Sequence, residues 1–167
     1  MKWLVCTLFL ISSFVSFSQE IDLSKKEKFD VNLAISAGSL KTDLVLNNTP
    51  IHAFVISPKL EFGGFMKVHI GGNILTIDPG VYDTIRQSFG HMEFGFSGEK
   101  QLNNQPVYLK GGYLVRVNEY YGHRVFGQVG ITSADVVDFH LIFSRLYDRT
   151  DIFTGTMLEF GARINLN

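Results

Sequence analysis

The sequence predicts an all-β protein, an eight-stranded antiparallel up-and-down barrel, and three observations carry that prediction. Apolar and polar residues alternate with a period of two over eight stretches, which is the pattern of strands whose two faces meet different surroundings. No stretch shows the 3.6-residue period of an amphipathic helix. Clusters of Gly, Asn, Asp, Ser and Pro punctuate the stretches at short intervals, and eight such strands joined in order can close so that no edge is left unpaired.

Residues 1–18 stand apart. Lys2 gives a positive start, Trp3 to Val15 an apolar run too short to anchor in a bilayer, and Ser16-Phe17-Ser18 a small-x-small cleavage site. They are expected to be a cleaved signal peptide, with residues 19–28 a polar flexible lead-in and residues 29–167 one barrel domain. The only cysteine, Cys6, lies in that leader, so no disulfide is expected in the exported chain. A formal net charge of -1 gives no electrostatic reason to expect a nucleic-acid partner.

The first strand sets Phe29, Val31, Leu33, Ile35 and Ala37 against Asp30, Asn32, Ala34, Ser36 and Gly38, before an expected loop at 41–50. The second sets Phe54, Ile56, Leu60 and Phe62 against Ser57, Lys59 and Glu61, with Pro58 marking either a bulge or a break into two pieces. After Gly63-Gly64 the third sets Met66, Val68, Ile70 and Ile74 against Lys67, His69, Gly71 and Asn73. A loop at 78–86 leads to the fourth, with Met92, Phe94 and Phe96 against His91, Glu93, Gly95 and Ser97. Beyond a polar connection at 98–106, the fifth sets Val107, Leu109, Tyr113, Val115 and Val117 against Tyr108, Lys110, Gly112 and Arg116. Another loop, at 118–123, precedes the sixth, with Val125, Val129 and Ile131 against Arg124, Gln128 and Gly130. The seventh sets Val137, Phe139, Leu141 and Phe143 against Asp138, His140 and Ser144. After a short loop at 148–151 the last has Leu158, Phe160, Ala162, Ile164 and Leu166 on one face and Glu159, Gly161 and Arg163 on the other.

Parity does not say which face points inward. A soluble carrier of the lipocalin type buries its apolar face around an apolar ligand; a membrane barrel does the reverse. The apolar face carries no charge mid-strand, with Arg86, His123 and Arg145 only at strand ends. A Lys or Arg at the bilayer midplane costs roughly 2–4 kcal/mol, so that distribution favours lipid outside. The opposite face mixes acids and bases, and an eight-stranded interior is narrow enough for such side chains to fill it. Tyr82, Tyr120, Tyr121 and Tyr147 collect at one set of loops, where an aromatic girdle belongs. The expectation is therefore a transmembrane β-barrel, with an interior ion network of Glu61, Lys67, Glu93, Lys110, Arg116, Arg124, Asp138, His140, Glu159 and Arg163. A tight last loop would bring His140 beside Glu159, or Asp138 beside Arg163 in a shifted register.

On these residues the chain resembles the small eight-stranded outer-membrane proteins of the OmpA transmembrane-domain and OmpX type, over residues 29–167. The sharpest local match is Glu159-x-Gly161-x-x-Ile164-x-Leu166, which is similar to the signal by which the barrel assembly machinery recognises a last strand. The chain ends in Leu166-Asn167 where the usual bacterial form has a terminal Phe or Tyr. The resemblance implies export to the outer membrane of a Gram-negative cell, contact with outer-membrane lipid and the assembly machinery, a monomer, and loops open to an extracellular partner. It implies no single activity.

No enzyme, cofactor or metal site is expected. Asp138, His140 and Ser144 share a face, yet His140 and Ser144 lie roughly 13 Å apart along a strand and face the interior, which counts against a lipid A-modifying hydrolase. His69, His91 and Glu93 lie on neighbouring strands without the spacing of a metal motif. The glycine pairs at 63–64, 71–72 and 111–112 match turns and bends, not a phosphate cradle. The Asn47-Asn48-Thr49 sequon has little force in a bacterial loop.

Overall fold

The computed structural model describes residues 29–46, 49–77, 87–102, 105–117, 122–133, 136–149 and 153–166. They form β1 (Asp30–Leu46), β2 (Thr49–Gly63), β3 (Met66–Ile77), β4 (Gln87–Gln101), β5 (Val107–Val117), β6 (Gly122–Thr132), β7 (Val137–Asp148) and β8 (Gly155–Asn165). Each strand pairs antiparallel with its sequence neighbours, and β8 pairs back onto β1, closing an up-and-down barrel. The architecture expected from the alternation is the one observed.

The registers set the barrel's geometry. A path from Lys41 through Thr156, Arg145, Val125, Tyr113, Phe96, Val68 and Phe62 returns to β1 at Val31, a stagger of ten residues. With a rise of about 3.3 Å per residue and about 4.8 Å between strands, that stagger tilts the strands by roughly 40° and leaves an interior of side-chain width. Both described chain ends lie at the end carrying the connections after β2, β4 and β6, here the turn end; the connections after β1, β3, β5 and β7 lie at the opposite, loop end.

Three spans differ from expectation, and the first is residues 98–101, which continue β4 where a connection was expected. Residues 41–46 and 49–50 continue β1 and β2 as a hairpin past a register shift between Lys41 and Val45. Pro58 lies inside one continuous strand: it pairs with Ile35 of β1, while the ladder to β3 is interrupted between Ile56↔Ile74 and Lys59↔Gly71. Proline has no N–H to give to that ladder, and the strand runs on because its other neighbour holds it. Residues 1–28, the loop at 78–86 and Tyr82, Arg86, Tyr120 and Tyr121 lie outside the described residues, as do Asn47 and Asn48.

The parity is uniform. Residues such as Leu33, Phe94, Leu141 and Phe160 are exposed on the outer wall, while Lys59, Glu61, Arg116, Arg124 and Glu159 are buried inside. Two buried hydrophobic clusters lie inside: Leu40, Ile51, Ala53, Val55, Leu75, Ile77, Leu146, Phe153 and Met157 fill the loop end, with Leu44 and Phe89 against them, and Leu114, Phe126 and Ile142 meet on β5, β6 and β7.

Candidate functional site

The chemistry-bearing side chains lie inside the barrel, from its middle to the turn end, because every second residue of a strand points there. They form two linked groups. In the middle, Arg124 on β6 donates to Glu159 on β8 and, at 3.3 Å, to Glu93 on β4. Glu159 also accepts from Ser36 Oγ at 2.9 Å and Ser57 Oγ at 2.6 Å. Glu93 lies 3.7 Å from Arg116 Nε and 4.0 Å from Lys59 Nζ, and Arg116 donates to Asn73 Oδ1 at 2.7 Å. Arg116 and Arg124 are fully buried, and these partners replace part of the water they have lost, with Arg116 Nε and Nη1 making no hydrogen bond.

Toward the turn end, Lys110 donates to Glu61 at 2.5 Å and stands 3.9 Å from Glu99. Arg163 on β8 donates through Nε to Asp138 on β7 at 2.7 Å, pairs also with Glu99, and lies 3.7 Å from Glu61. Its guanidinium stacks over the Tyr108 ring, 4.4 Å from the centroid, and Gln128 donates to the Tyr108 hydroxyl at 3.0 Å. Lys67 reaches Asp30 at 3.7 Å. Six acids (Asp30, Glu61, Glu93, Glu99, Asp138, Glu159) thus face six bases (Lys59, Lys67, Lys110, Arg116, Arg124, Arg163), with Asp148 a further buried acid, and this near balance lets so many ions share one low-dielectric space.

Of the two alternatives for the β7–β8 pair, the structure holds the second: Asp138 is opposite Arg163, and His140 is opposite Gly161. Gly161 has a packing reason to be glycine. A Cβ there would lie 2.6 Å from Ser36 Cβ and 2.7 Å from His140 Nε2, and would press on the Ile35 carbonyl. Ile164 and Leu166 of the same terminal pattern lie on the outer wall. Glu99 was not expected, because residues 98–106 read as a connection; continuing the odd-numbered interior row of β4 past Ser97 would have found it. Ser36 and Ser57 sit in the interior rows too, and only the fold shows that both reach one carboxylate.

The remaining candidates have other neighbours. Ser144 Oγ accepts from Arg124 at 3.1 Å and Asp138 binds Arg163, so neither addresses His140. His69 shares a 2.6 Å hydrogen bond with Ser97 and lies 3.5 Å from Glu61; His91 packs edge-on to Phe153. Among the described residues no three His, Cys, Asp or Glu side chains form a metal cluster. The polar cavity among Ser36, Ser57, Lys59, Glu61 and His140 measures about 10 Å³, room for about one water, whereas small-molecule pockets run to roughly 300–1,000 Å³.

The fold defines the class: an all-β, closed eight-stranded antiparallel up-and-down barrel, with ion pairs and apolar clusters buried inside it. No protein-family model matches the chain, and no curated protein matches it.

Proposed function

We propose that the chain is an integral outer-membrane β-barrel with a structural or surface-interaction role, exported by its leader and resembling the OmpA transmembrane-domain and OmpX type. The observation that carries this reading is the outer wall. Phe29–Ala37 on β1, Phe54–Phe62 on β2, Met66–Ile74 on β3 and Leu158–Leu166 on β8 each present a row of outward residues free of charge. At a tilt of roughly 40° each row stands roughly 20 Å tall, and side-chain reach brings it near the roughly 25 Å apolar band of a bilayer-spanning barrel. Exposing such a band to water would leave an apolar patch larger than monomeric soluble proteins tolerate.

The filled interior supports a scaffold over a carrier or an open pore. Its ions answer one another, and no ligand-sized space opens among Lys59, Glu61 and His140. Outer-membrane lipid and the assembly machinery are then the partners of the wall and of the Glu159–Leu166 strand, and any extracellular partner meets the loop end. Membrane fractionation tests the reading. The chain should stay in the pellet after carbonate or urea extraction and migrate faster on a denaturing gel before boiling. Release by carbonate would assign it to the soluble, lipocalin-like alternative.

A further inference from the structure

The polarity of the wall reverses along the barrel, inside and outside together. On β1 the outward row passes from Ile35 and Ala37 to Ser39, Lys41 and Asp43, while the inward row passes from Asn32 and Ser36 to Leu40 and Leu44. On β8 the outward change falls between Leu158 and Thr156 and the inward change between Glu159 and Met157. The same paired exchange occurs on β2 (Phe54 to His52 outside, Ser57 to Val55 inside), β3 (Ile74 to Thr76, Asn73 to Leu75) and β4 (Met92 to Ser88, His91 to Phe89), while on β7 the outward row changes from Phe143 to Arg145 and the inward row alternates His140, Ile142, Ser144, Leu146 and Asp148. Val45 and Tyr147 are the exposed outward exceptions above it.

Two exchanges in opposite senses at one level on five strands, with the outward one repeated on β7, have a single physical cause, a change of solvent. Where lipid lies outside, the apolar side chains face out and the ions fold in; where water lies outside, the chain needs an ordinary dry core. We propose, resting on the membrane reading above, that the loop-end section of β7, β8 and β1–β4 stands clear of the hydrocarbon as a water-exposed rim, and that its polar belt meets lipid headgroups. From Ser39 to Val45 the rim rises roughly 15 Å. Its core is the Leu40–Phe153–Met157 cluster, which also seals the interior at that end.

The belt's own contacts fit this placement. Arg145 on β7 reaches across β8, donates to Thr156 Oγ1 at 3.2 Å and pairs with Asp43 on β1. Arg145 and Asp43 are partly exposed, 35% and 51%, a pairing that headgroups and water tolerate and hydrocarbon does not. The Arg145 guanidinium also lies 5.6 Å from the Tyr147 ring, an aromatic at interfacial height.

The only tryptophan is Trp3, so a Trp3→Phe background lets a single introduced tryptophan report its depth. Ile35→Trp and Lys41→Trp sit on the same outward row of β1, six residues apart. In vesicles of bromine-labelled phospholipid, Ile35→Trp should be quenched several-fold with blue-shifted emission. Lys41→Trp should escape the bromine and be quenched by aqueous iodide. Equal bromolipid quenching at both positions would overturn the rim while leaving the membrane reading intact. No bromolipid quenching at either would overturn the membrane reading itself.

Discussion

Arg124 reaches across the barrel from β6 to Glu159 on β8, joining two strands that share no ladder, while the same guanidinium holds Glu93 on β4. One buried cation thus ties three walls together, and removing it leaves two carboxylates without their strongest partner. Arg124→Met should lower stability by roughly 3–5 kcal/mol. Arg124→Met with Glu159→Gln should recover part of that loss, because the second change removes one of the stranded charges. Urea midpoints of the folded protein in detergent or vesicles measure both; additive losses would show the pair to be uncoupled.

Closure of the barrel depends on β1 meeting β8, and their register places Ser39 opposite Leu158. Directly opposed residues in an antiparallel pair have Cα atoms about 4.5–5.5 Å apart, within disulfide range. Ser39→Cys with Leu158→Cys, in a Cys6→Ser background, should oxidise to an intramolecular crosslink. Ser39→Cys with Phe160→Cys, displaced along the strand, should crosslink far less. The reverse order, read by mass and gel mobility, would mean a different register.

Gly161 sits where β8 crowds β1 and His140. Gly161→Ala should cost roughly 1–3 kcal/mol through overpacking. The loss should appear as a lower unfolding midpoint of protein that has already folded, independent of any assembly machinery. An unchanged midpoint with reduced assembly in cells would mean that the glycine serves recognition and not packing.

Much of this was legible in the sequence, and the part that was not has a physical explanation. Alternation sorted the residues of all eight strands into two rows, because the side-chain period of a strand does not depend on its neighbours, and the absence of mid-strand charge from one row marked it as the outer. It could not give contacts across the interior, such as Ser36 and Ser57 on one carboxylate, which depend on the ten-residue stagger. Nor did it show the rim. A reversal of face polarity looks, along one chain, like a one-residue slip or the onset of a loop, and Lys41-Thr42-Asp43-Leu44 read as the second. Only when the strands are aligned by their registers do the exchanges fall at one level.

Leu141 lies mid-strand on β7, exposed on the outer wall, with Val129 and Phe160 opposite on the adjoining strands. Reversible unfolding of Leu141→Lys from lipid vesicles therefore asks directly what that wall touches. With hydrocarbon outside, the substitution should cost roughly 2–4 kcal/mol, and Thr156→Lys on the polar belt roughly 0–1 kcal/mol. A negligible cost at Leu141, equal to that at Thr156, would mean that water wets the whole wall and would contradict the membrane-spanning barrel.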